Sequence, residues 1–146
     1  MGGPAPVKFK FLAVLVGIAL TAALPLLAHH SFAAEFDANQ PITLKGVVTK
    51  VEWMNPHIYF YIDVKDDNGK VVNWAAEGAP PNSLYRNGWR KDSLKPGDTI
   101  TVNAFRAKDG SSTVNVRVVI LPDGKSFYAG TADDGGPKGP AAVTPR

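Results

Sequence analysis

The feature that most constrains the fold is strict period-two alternation in the stretch His57 to Lys65. Ile58, Phe60, Ile62 and Val64 alternate with His57, Tyr59, Tyr61 and Asp63. Successive side chains of a strand point to opposite faces, so this pattern is that of a half-buried β-strand and cannot line one face of a helix. Four further strands are expected by the same reasoning. The first, Ile42 to Trp53, changes phase in its middle: Ile42 and Leu44 are the apolar positions before Gly46, and Val47, Val51 and Trp53 those after it. A residue inserted at a glycine is the mark of a β-bulge, which bends a strand.

Asp66-Asp67-Asn68-Gly69 closes a hairpin into Lys70 to Glu77, where Val72, Trp74 and Ala76 face inward. A short helix is expected over Asn82 to Asn87, with Asn82 or Ser83 as N-cap and Gly88 as its stop. Lys95-Pro96-Gly97-Asp98 turns into strand four, with Ile100, Val102 and Ala104 inside. Lys108-Asp109-Gly110 turns into strand five, with Val114, Val116, Val118 and Ile120 inside. A bent first strand, a meander, a helix between strands three and four and a closing hairpin fit an all-β, small, five-stranded OB-like Greek-key barrel. An ordinary antiparallel β-sandwich is the alternative. The phase change at Gly46 and the helix's place in the order favour the barrel.

The ends of the chain read differently. Lys8 and Lys10, the apolar run Phe11 to Leu24 and Pro25-Leu26-Leu27-Ala28 have the order of a secretory signal peptide over residues 1–28. The apolar run falls short of the ~20 residues that span a bilayer. Residues 29–40 form an amino-terminal segment, 41–128 the β domain, and 129–146, rich in Gly, Pro and Ala, a disordered tail. The expected address is periplasmic or secreted. Cysteine is absent, which removes disulfides and thiolate metal sites. Two of the sixteen Lys and Arg lie in the leader, leaving fourteen against thirteen Asp and Glu, too balanced a charge to draw a phosphate backbone. Nucleic acid is therefore not an expected partner, nor is a membrane once the leader is removed.

His29-His30-Ser31-Phe32, Phe36-Asp37, Gly46-Val47-Val48, Trp53-Met54-Asn55-Pro56-His57, Gly88-Trp89 and Lys95-Pro96-Gly97-Asp98 together resemble an uncharacterised family of small exported bacterial proteins, domain of unknown function 6152. The resemblance covers nearly all of residues 29–127 and implies export and a compact β domain. It brings no activity, cofactor or catalytic residue.

Function is read from residue types. Cleavage after Ala28 makes His29 the first residue, so that one residue offers an α-amine and a ring nitrogen; cleavage after Ala33 discards both His29 and His30. The only other histidine, His57, opens strand two. A lead of about ten residues reaches ~30 Å when extended, so His29, His30 and His57 could meet in a nitrogen-rich site of the kind copper(II) prefers. Otherwise His57 caps its turn by donating to a backbone carbonyl. The second function class is recognition of a peptide or glycan on the outward face of strand two through Tyr59 and Tyr61, with no metal; outward tyrosines also follow from β-propensity alone. Trp53, Trp74 and Trp89 read as core. Glu35, Asp37, Glu52 and Glu77 could include an acid–base pair, but carboxylates on separate strands cannot be paired by sequence. The chain has no phosphate-binding loop, H-E-x-x-H, G-x-S-x-G or dinucleotide fingerprint, so no enzymatic reaction is assigned.

Overall fold

The computed structural model describes residues 32–130; residues 1–31, with the expected signal peptide, His29 and His30, and residues 131–146 lie outside the described residues. The elements are α1 (Phe32–Glu35), β1 (Phe36–Glu52), β2 (Tyr59–Lys65), β3 (Val71–Glu77), α2 (Pro81–Arg86), β4 (Thr99–Ala107), β5 (Thr113–Ile120) and β6 (Ser126–Tyr128). They form one six-stranded sheet in the order β3-β2-β1-β4-β5-β6. A parallel pairing of β3 with β5, from Ala75↔Thr113 to Glu77↔Asn115, joins the first five strands into a barrel-like ring. The protein is all-β and OB-like, with its α2 helix between the third and fourth strands as the order of motifs implies. β6, three residues long, is an addition the alternation did not foretell.

β1 makes the ring possible because it is long enough to serve two neighbours. Its amino-terminal half pairs with β4 and its carboxyl-terminal half with β2, and Gly46 and Val47 pair with both. The bend lies elsewhere than expected. Leu44, Gly46 and Val48 keep one inward phase and Val47 is exposed, so no residue is inserted at Gly46. The extra residue is Thr49, between Val48↔Ile62 and Lys50↔Tyr61, and after it the inward position passes to Val51. Gly46 serves close approach instead: a Cβ there would land on the Asp63 carbonyl oxygen of β2. Gly46→Ala is therefore expected to cost about 1–3 kcal/mol by overpacking, measured as a lowered urea midpoint at unchanged slope.

β2 follows its pattern, with Ile58, Phe60 and Ile62 fully buried and Tyr59 and Tyr61 on the other face. On β4, Ile100, Val102 and Ala104 are buried as expected. β5 departs from its pattern. Val114 and Val116 are inside, but Val118 and Ile120 are partly exposed and Val119 takes the core position. The cause is a register shift: Asn103 faces Val118 and Ala104 faces Val116, leaving Arg117 as an extra residue. The α2 cap also differs. The N-cap is Pro80, with no side-chain cap bond, and neither Asn82 nor Ser83 holds that position. Pro81 opens the helix because its fixed φ is already helical and its missing N–H would be unbonded there anyway. Gly88, at φ 88°, does end it.

The main core contains Leu44, Val48, Phe60, Ile62, Trp89 and Val119 among others, with Trp53 and Trp74 packed at its margin. All three tryptophans thus serve packing. A smaller cluster of Phe32, Phe36 and Phe105 covers Arg117. Ala129 is fully buried; its N–H bonds the Arg117 carbonyl, and its own carbonyl accepts from Ala79. The folded domain therefore includes Ala129, where composition alone places the start of the tail.

Candidate functional site

The β2–β3 hairpin positions the residues that carry chemistry. Its register places Tyr59 opposite Glu77, and the ladder continues past the strand ends through Gly78 N–H to Ile58 O (3.0 Å) and Ile58 N–H to Ala79 O (3.4 Å). His57, two residues before Tyr59, is held here. Its Nδ1 lies 3.0 Å from the Gly78 carbonyl oxygen and 3.6 Å from Glu77 Oε1. A carbonyl can only accept, so Nδ1 carries the proton, and in the neutral ring Nε2 keeps its lone pair.

Glu77 is 7% exposed, and its Oε2 accepts a 2.6 Å hydrogen bond from the Tyr59 hydroxyl. Burial, and then this bond to a carboxylate, hold the Tyr59 phenol well above its ordinary value near 10. The folded phenol keeps its proton beyond the pH at which the unfolded one loses it, so its stabilising contribution is complete below about pH 10 and declines as pH rises from there. Tyr59→Phe is accordingly expected to flatten the fall of urea midpoint between about pH 9 and 11.

Tyr59 and Glu77 open onto a cavity of about 570 Å³ that is also lined by Glu35, Phe36, Lys108 and Asp109. The β4–β5 turn is tied to α1 across its rim. Lys108 Nζ donates to Ala33 O (2.6 Å) and Lys108 N–H to Glu35 O (2.8 Å). A volume of this order lies in the range of small-molecule pockets.

Tyr61 belongs to a separate group. Its hydroxyl donates to Glu52 Oε2 (3.0 Å), Glu52 also bonds Lys50 Nζ, and that ammonium lies 5.4 Å from the Tyr61 ring centre. Lys50 lowers the Glu52 carboxyl, and Glu52 raises the Tyr61 phenol. The two outward tyrosines are thus two hydrogen-bonded pairs, each with its own glutamate. Of the four carboxylates named from sequence, Glu35 and Glu77 line one cavity, Glu52 joins Tyr61, and Asp37 bonds Asn39 and Gln40. The signal that could have found Tyr59–Glu77 is the hairpin: counting outward from the turn brings two outward-facing positions opposite one another.

His29 and His30 fall outside the described residues. Among the described residues no group of three or more His, Cys, Asp or Glu is placed to hold a metal ion. The profile of a family of unknown function, DUF6152, matches residues 17–116. The chain belongs to that family. The DUF6152 match takes in both amino-terminal histidines and the His57, Tyr59 and Glu77 cluster, and ends within β5. No curated protein matches the chain.

Proposed function

We propose that this DUF6152 chain is an exported, non-enzymatic binding protein that holds one divalent metal ion of the copper type through His57 together with His29 and His30. The observation that carries the reading is the nitrogen left over: His57 does donate to a backbone carbonyl, the contact expected of it without a metal, but to Gly78 O on the neighbouring strand end and through Nδ1, which leaves Nε2 with its lone pair in the neutral ring. Metal-binding histidines characteristically spend one ring nitrogen on a backbone carbonyl or carboxylate and ligate through the other. His57 fits that role, but a lone imidazole is a weak site, and the described residues add no set of three ligands. The remaining imidazoles of the chain are His29 and His30. Export supplies the missing donor: removal of residues 1–28 would leave His29 with a free amine beside its ring. Nitrogen donors without thiolate suit Cu(II) above the other first-row divalent ions. Bound copper would stabilise the fold by mass action.

The test uses the processed protein, its first residue identified by intact mass, titrated with Cu(II) and melted with and without the ion. One equivalent of copper should bind and raise Tm, and His57→Ala should abolish the rise. Absence of any thermal shift with copper, nickel or zinc at neutral pH would overturn the reading, as would a mature chain that starts after Ala33.

The cavity favours a second reading, a peptide or glycan ligand seated against Tyr59. Tyr59→Ala combined with Tyr61→Ala should then abolish ligand binding and leave the fold intact, whereas unfolding of the double variant would assign the tyrosines to structure.

A further inference from the structure

We infer that Glu77 and Tyr59 are positioning residues for the His57 imidazole: the phenol anchors the carboxylate by a hydrogen bond, and the carboxylate, set beside the ring N–H, orients the ring by its charge and strengthens Nε2 as a ligand. The inference rests on the metal reading above and adds two residues to it.

Glu77 is a buried carboxylate. A carboxylate removed from water costs several kcal/mol unless hydrogen bonds or an opposite charge compensate it. Among the described residues no Lys or Arg forms an ion pair with Glu77; its partners are the Tyr59 hydroxyl on Oε2 and the His57 ring near Oε1. The partner of ordinary surface glutamates, a lysine or arginine, is replaced here by an imidazole and a phenol. That combination is what a metal-binding histidine uses: a carboxylate beside the N–H of the non-ligating nitrogen fixes the tautomer and makes the other nitrogen a better donor.

The geometry assigns each atom one role. Tyr59 is fixed opposite Glu77 by strand register, so its hydroxyl meets Oε2 without a search of rotamers across the sheet. A carboxylate oxygen only accepts, so the proton of this 2.6 Å bond is the phenol's. Tyr59 therefore acts as donor, and Glu77 must present its other oxygen elsewhere. That oxygen lies 3.6 Å from His57 Nδ1, whose proton points to the Gly78 carbonyl at 3.0 Å. The carbonyl makes the direct bond, and the carboxylate adds its negative charge beside the same N–H. Because Gly78 immediately follows Glu77, both acceptors ride on one end of β3. The ladder bonds at Ile58 fix that end relative to His57.

Glu77→Gln tests the charge with little change of shape, because the amide oxygen can still accept from Tyr59. Tyr59→Phe tests the anchor. Both are compared with the unaltered mature chain and with His57→Ala by Cu(II) competition against a chromophoric chelator and by metal-free melting. The tautomer of the neutral ring is read in parallel from ring ¹⁵N shifts without metal. Glu77→Gln should weaken Cu(II) binding by about 10–100-fold and shift part of the ring proton from Nδ1 to Nε2. Tyr59→Phe should move both readouts the same way by less. Copper affinity within about twofold of the unaltered chain, where His57→Ala abolishes binding, would overturn the inference and leave the metal reading standing. If the unaltered chain takes up no copper, the metal reading fails. Identical ¹⁵N ring shifts in Glu77→Gln and the unaltered chain would then overturn the positioning role as well.

Discussion

Trp89→Ala is expected to destabilise the domain by about 3–5 kcal/mol, the range for deleting a large buried aromatic. Trp89 is fully buried just beyond α2, its ring 5.2 Å from Phe127 and 6.4 Å from Trp53, and its Nε1 donates to Tyr128 O at 2.9 Å. It thereby joins three pieces of chain that share no ladder: the end of α2, the loop after β1 and strand β6. Substitution removes the packing and also leaves the Tyr128 carbonyl without its side-chain donor. For a domain near 100 residues, whose whole stability is about 5–15 kcal/mol, such a loss corresponds to a Tm lowered by about 15 °C or more. Trp89→Phe separates the two contributions. It keeps a ring in the core and loses the donor, so it should cost about 1–3 kcal/mol. Calorimetric melts of the two variants measure both figures, and a fall of only a few degrees in Trp89→Ala would show that the site collapses around the missing ring.

Arg117→Ala is expected to cost about 3 kcal/mol or more and to release α1 from the ring. Arg117 is the extra residue of the β5 bulge and is fully buried. Its guanidinium carbon lies 4.8 Å from the Phe32 ring centre and 5.8 Å from that of Phe105, and the two rings meet edge to face. A desolvated cation over an aromatic face contributes about 2 kcal/mol, and removing the long side chain leaves a cavity in addition. The same guanidinium lies where a Cβ on Gly130 would go, so Arg117 stands where both ends of the described chain converge. Loss of its side chain should therefore raise amide hydrogen exchange in residues 32–36 and 128–130 before the rest of the sheet. Arg117→Lys keeps charge but not the planar face and should recover only part of the stability. Uniform exchange across the sheet in Arg117→Ala would refute the local role.

Glycine and tryptophan illustrate how far pattern reading reaches. Gly46 was noticeable as an interruption of β1, but interruption and close approach leave the same mark in a sequence. The neighbouring Asp63 carbonyl, seventeen residues away, decides between them. The tryptophans were assignable to packing from parity and position, since a residue of that size on an inward phase has few other places to go. Arg117 was invisible for the opposite reason. An arginine within a valine-rich strand reads as an exposed position, but here the Phe32 and Phe105 rings cover it, and the bulge it forms moves the core position from Val118 to Val119.

From the order of residues alone followed the all-β class, the β2 and β4 faces, the hairpin at Asp66 to Gly69, the helix between the third and fourth strands and the OB-like order of elements. These depend on interactions between near neighbours, and alternation or turn chemistry records them directly. Only the tertiary structure decided that β3 meets β5, that Thr49 and Arg117 are the inserted residues, and that Glu77, among the several carboxylates, stands beside His57 and Tyr59. Such pairings depend on register between strands distant in sequence, where one inserted residue reverses every face that follows it.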